Sequence, residues 1–226
     1  MLTATSLAAV LFASSALAAG AGPAATPSTP PMVVTWSSAP EVSASLVKRV
    51  LDETDAIWRA SGFSFVWQRA SREAIPYARL AETGPYVPAT LRVVIGENRG
   101  GTAGENRTPL GWIVFDDERA PQQEIYLSHA NAAALMDTAR AVVGVVAQMP
   151  IAQREILLAR AMGRALAHEI GHYLLASKVH TPRGLLKASR TASELFAIER
   201  AGFQIDPSQR QQIAARLRGE AQVASR

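Results

Sequence analysis

The chain has 226 residues, 48% hydrophobic and 19% charged, the proportions of an ordinary globular protein and a length suited to one domain. It contains no cysteine, which excludes disulfides, cysteine-ligated zinc, iron–sulfur clusters and thiol nucleophiles. The formal net charge is +4, yet the basic residues are dispersed without a run of like charge, so nucleic acid is not indicated as a partner.

Residues 1–18, MLTATSLAAVLFASSALA, carry no charged side chain and end in the small-x-small pattern Ala16-Leu17-Ala18. They read as a signal peptide, and the mature protein is expected to be secreted or periplasmic. The stretch is shorter than the roughly 20 apolar residues of a membrane-spanning helix, and no later segment reaches that length, so no span is expected in the mature form. Residues 19–31 are rich in Pro, Ala, Ser and Thr without periodicity and are expected to form a flexible linker. The folded domain is expected over residues 32–226.

Within it, MVVTWSS (32–38) has strand composition, and Leu46, Val47, Val50, Leu51, Ile57 and Trp58 then recur at helical spacing between Ser43, a suitable N-cap, and Gly62, a stop. FSFVWQ (63–68), TLRVVIG (90–96), LGWIVF (110–115) and EIYLSH (124–129) have the length and β-branched or aromatic content of strands. The tetrapeptide GENR occurs twice in the Gly-rich segment 96–109, which reads as a loop and not as a repeat architecture. Residues 130–148 and 151–176 are expected as helices separated at Pro150, 191–202 as a further helix, and a last helix begins at Asp206-Pro207. These elements predict an α+β fold with a mixed sheet of about five strands.

The chemistry lies in ALAHEIGHYLLASKVHTPRGLL (165–186). His168 and His172 are four residues apart, so on a helix they share one face and both imidazoles can reach one metal ion. Glu169 follows the first histidine, where its carboxylate can accept a proton from metal-activated water without ligating the metal. A catalytic zinc ion takes three protein ligands and keeps one position open. His180 is the candidate for the third, since three of the four histidines fall between residues 168 and 180. Glu194, on a later expected helix, offers another third ligand and would make the site gluzincin-like. Asp116, Asp117 and Glu118 form a short acidic cluster expected to be solvated, His129 is expected at a strand end, and Trp36, Trp58, Trp67 and Trp112 are expected in the core.

This segment resembles the metzincin clan of zinc endopeptidases, and within it the matrixin-like members, whose motif is HExxHxxGxxH followed by a Met-turn. The resemblance implies zinc held by His168, His172 and His180, with Glu169 as general base. It also implies a zincin-like fold of twisted mixed sheet, active-site helix and small C-terminal helical subdomain. A peptide or protein substrate would pair with an edge strand, a role open to Gly111, Trp112 and Ile113. Three departures accompany it. Seven residues separate His172 from His180 where the clan has five, Leu175 replaces the helix-ending glycine, and Leu186 stands where the Met-turn methionine is expected. The active-site helix is therefore expected to run to about Ser177, with the longer loop returning His180. The function implied is an exported zinc-dependent endopeptidase; the alternative is a catalytically inactive zinc-binding or interaction module on the same scaffold.

Overall fold

A computed structural model describes residues 29, 31–70, 91–96 and 109–224, with side chains to residue 218. The segment expected as signal peptide, nearly all of the expected linker and most of the GENR-containing segment lie outside the described residues. Five strands form one sheet: β1 (Met32–Ser38), β2 (Phe65–Arg69), β3 (Leu91–Ile95), β4 (Gly111–Phe115) and β5 (Pro121–Leu127). Their spatial order is β2-β1-β3-β5-β4. β2, β1, β3 and β5 run parallel, and β4 pairs antiparallel to β5 at the sheet margin. The sheet is thus mixed and the fold α+β, as the order of elements predicts.

Alternation of side chains makes the sheet two-faced. Val34, Leu91, Val93, Ile95, Ile125 and Leu127 point to one face and are fully buried. The other face carries the cross-strand pair Arg92 and Glu124, bridged at 3.4 Å, and Trp112 stacked on Tyr126 with ring centroids 5.4 Å apart. Trp58 is buried with edge-on contacts to Phe63 and Phe65, and Trp36 and Trp67 pack against the core.

Two helices carry the core face. α1 (Ala44–Arg59) starts at Ser43, whose side chain accepts the Leu46 N–H at 3.1 Å, and it buries the apolar stripe from Leu46 to Trp58. α4 (Ile151–Leu175) packs along α1 and beneath β5 and β4. The two helices approach closely at Gly163, where an added Cβ would lie 2.7 Å from the Glu53 Cβ and 2.8 Å from the Val50 carbonyl oxygen. The Thr54 hydroxyl seals that contact by donating to the carbonyls of Val50 and Gly163.

The helix expected over 130–148 is broken into α2 (His129–Thr138), α3 (Arg140–Val143) and a short 3-10 turn, Val146–Gln148. Gly144, at φ 90°, interrupts it among four valines whose branched side chains are weak helix formers. His129 is the first residue of α2, capped by Ser128, and not a strand end. The helix expected over 191–202 shortens to α5 (Ala192–Phe196), and α6 (Pro207–Ala224) begins at the proline after Asp206. Among the described residues no single helix is long and apolar enough to cross a membrane.

Candidate metal centre

α4 brings His168 and His172 onto one face, one turn apart, and the chain beyond it returns His180 to the same place. Ligand nitrogens of the three rings lie within 4.8 Å of one another, and the ring centroids are 4.6 to 5.3 Å apart. His172 is buried, His168 half-buried and His180 exposed, so the cluster opens to solvent on the His180 side. His129 is not part of it.

Backbone carbonyls orient two of the rings. The Nδ1 of His168 lies 2.9 Å from the Leu185 oxygen, and the Nδ1 of His172 lies 2.6 Å from the Ser177 oxygen. A carbonyl only accepts, so each Nδ1 carries the proton and each Nε2 presents its lone pair. These Nε2 atoms face each other at 2.9 Å. Two lone pairs at that distance repel unless a cation sits between them. A proton does not serve at neutral pH, because burial and the neighbouring His172 push His168 down to about 4. Burial also lowers His172. Two imidazoles with facing Nε2 lone pairs and a third ring beside them match the donor set of a zinc ion, for which two ligand nitrogens stand about 3.3 Å apart.

The helix end that makes this possible differs from the expected one. α4 stops at Leu175 instead of continuing to Ser177, and Ala176 takes the left-handed conformation, φ 46° and ψ 51°. The Ser177 N–H then bonds to the His172 carbonyl and the Ala176 N–H to that of Tyr173, a Schellman closure. It aims the Ser177 carbonyl at the His172 ring. The extra spacer length places Lys178 with its ammonium 5.4 Å from the centre of the Phe115 ring at the end of β4.

Leu186 is buried against the helix where the Met-turn methionine was expected. A Cβ on Gly171 would lie 2.8 Å from its Cδ2, so the residue between the ligands must be small. The turn 181–187 holding Leu186 is closed by the Thr181 N–H to the Leu186 carbonyl at 2.9 Å.

Glu169 points away from solvent toward β4. It is buried, its carboxyl accepts from the Ile113 backbone N–H, and its Cγ lies 3.4 Å from where a Cβ on Gly111 would be. Burial pushes this carboxyl up to about 8, with the Ile113 bond acting in the opposite direction. Gly111, Trp112 and Ile113 lie on β4, beside the glutamate and at one margin of the sheet among the described residues. Glu194 is placed elsewhere: it forms a capping box with Thr191 and pairs with Lys187 at 2.8 Å and Arg190 at 3.1 Å. Those bonds hold its carboxyl down at about 2. Asp116 and Asp117 accept bonds from Gln122 and from the Arg119 N–H within the β4–β5 turn.

The sequence reading missed Arg164. It shares the face of His168 and His172 one turn earlier, and its side chain is 0% exposed. It pairs with Glu53 of α1 at 3.1 Å and donates to the carbonyls of Glu194, Ala197 and Glu199. Arg200 binds the other oxygen of Glu53 at 2.6 Å. The available signal was the spacing of four between a charged residue and the first histidine on an otherwise apolar stripe.

No family model and no curated protein matches the chain. Among solved structures it is similar to archaemetzincin from Methanopyrus kandleri, at 15% sequence identity and a TM-score of 0.44, over 83% of this chain and 96% of that one.

Proposed function

We propose that this chain is an exported zinc-dependent endopeptidase in which His168, His172 and His180 hold the metal and Glu169 is the general base. The observation that carries this reading is the convergence of three imidazoles with two Nε2 lone pairs face to face. Zinc, when bound, supplies the Lewis acidity that makes water nucleophilic near neutral pH and polarises a peptide carbonyl. The Leu185 and Ser177 carbonyls hold the rings in the ligating tautomer. Glu169 takes the proton of the attacking water on a carboxylate oxygen and delivers it to the nitrogen of the leaving amine. Burial alone keeps a proton on this carboxyl up to about 8, and a cation held by the neighbouring histidines would favour the ionised form that accepts the proton. β4 is the last strand of the sheet among the described residues, and Gly111, Trp112 and Ile113 are the stretch along which an extended substrate would pair, the Ile113 N–H exchanging its bond to Glu169.

The test is Glu169→Gln assayed on a peptide library beside the wild type. The substitution keeps the shape of the side chain and removes the base. Hydrolysis should fall by about 10²–10⁴-fold while zinc content stays that of wild type. Hydrolysis at the wild-type rate contradicts the mechanism, and a zinc-loaded wild type that cleaves nothing supports the catalytically inactive zinc-binding module instead. Export is checked by N-terminal sequencing of protein recovered outside the cytoplasm, with Ala19 expected as the first residue.

A further inference from the structure

Arg190 lies outside the histidine cluster and has no part in the proton transfer, yet its side chain is 10% exposed and heavily bonded. Its guanidinium donates to the carbonyls of Gly184 and Gly202 and to a Glu194 carboxylate oxygen, and it stacks 4.2 Å from the centre of the Phe203 ring. Gly184 belongs to the turn 181–187 and directly precedes Leu185, whose carbonyl meets His168 Nδ1. The Leu185 N–H is tied to the Gln204 carbonyl at 2.8 Å. Arg190 thus ties the turn to segment 202–204 beside that bond. The same turn begins at Thr181, the residue after His180, so its position also sets where the third ring starts.

We propose that Arg190 is a positioning residue for the metal centre: by fixing the 181–187 turn it holds the Leu185 carbonyl that selects the Nδ1–H tautomer and ring orientation of His168. The inference rests on the reading of the histidines as zinc ligands. It has a specific signature, because His172 is oriented by Ser177, which lies in the helix-terminating loop and not in the turn. Loss of this tie releases His168 and leaves His172 held. General loosening of the fold would release both. Arginine suits the task because one planar fork reaches two carbonyls and a carboxylate together.

The full chain is prepared as wild type, Arg190→Ala and Arg190→Lys. Nitrogen-15 spectra of the histidine rings are recorded metal-free, and zinc affinity is measured by competition with a chelator. Arg190→Ala should convert His168 from the single Nδ1–H form to a mixture of tautomers, leave His172 unchanged, and weaken zinc binding by about 10–100-fold. Arg190→Lys, which keeps the charge but not the planar fork, should recover only part of both effects. Wild-type ring spectra in folded Arg190→Ala overturn the proposal, as do equal changes in His168 and His172. If Arg190→Ala does not fold, Arg190→Gln carries the same comparison, with a shift confined to His168 expected and no shift contradicting it. A wild type that binds no zinc overturns the metal reading, while the metal-free ring spectra still decide the role of Arg190.

Discussion

Ala176 is the one residue other than glycine with positive φ among the described residues, and its left-handed backbone strains an L-residue by roughly 1–2 kcal/mol. The strain persists because this conformation both closes α4 and turns Ser177 toward His172. Ala176→Gly should therefore stabilise the protein by about 1 kcal/mol, read from denaturant unfolding. A loss of stability would show that the Ala176 methyl makes contacts outweighing the strain. Three residues of the site, Glu169, His168 and, in the same direction as His168, His172, also make the stability of the metal-free protein depend on pH. Glu169 titrates near 8 against an ordinary 4.5, so between those values the folded state keeps a proton that the unfolded chain has lost. Its contribution falls as pH rises through that window. His168 titrates near 4 against an ordinary 6.5, so its contribution rises with pH across that window. Glu169 and the two histidines oppose each other where the windows overlap, leaving Glu169 dominant above. Metal-free Glu169→Gln should gain stability relative to wild type between about pH 6 and about pH 8, measured by denaturant midpoints; a constant difference would contradict the burial of an ionisable carboxyl there. At this scale the gathering of His168, His172 and His180 was legible from the spacing and clustering of histidines in the sequence. The carbonyls that orient them were not, because backbone oxygens leave no mark on residue identity.

At the scale of elements, strands and the two long helices follow from periodicity and caps, while both helical misreadings have physical causes of different kinds. The break of 130–148 is local and lies in a glycine and a valine-rich run that the composition displays. The early end of α5 is tertiary: Arg160 takes the Phe196 carbonyl at 3.0 Å, and Arg164 takes those of Glu194, Ala197 and Glu199. Donors from another helix thus replace the bonds that would have continued α5, and no pattern within 191–202 reports them. The contact of α1 with α4 is equally exacting. Gly163→Ala pushes a methyl into the Glu53 Cβ and the Val50 backbone oxygen and should destabilise by about 1–3 kcal/mol in thermal or denaturant unfolding. Wild-type stability in that variant would mean the helices can separate without penalty.

Across the whole molecule, a network centred on the buried pair Glu53 and Arg164 joins the sheet-bearing half to the C-terminal half. Glu53 on α1, Arg164 on α4 and Arg200 beyond α5 form a charge-paired triad, with Phe203 packed between the guanidinium groups of Arg164 and Arg190. Breaking such a network by removing one partner leaves a buried charge unpaired, so the halves are held in one register by the same helix that carries the histidines. The mixed α+β class was readable from element order. The parallel arrangement and the marginal place of β4 depend on which strands pair across long separations, and no strand sequence encodes its neighbour.

Elemental analysis of metal content in wild type, His180→Ala and Glu194→Ala tests the central claim most directly. The histidine cluster predicts about one zinc per chain in wild type and in Glu194→Ala, and loss of the metal in His180→Ala. Zinc retained in His180→Ala but lost in Glu194→Ala, or no zinc in reconstituted wild type, would contradict it.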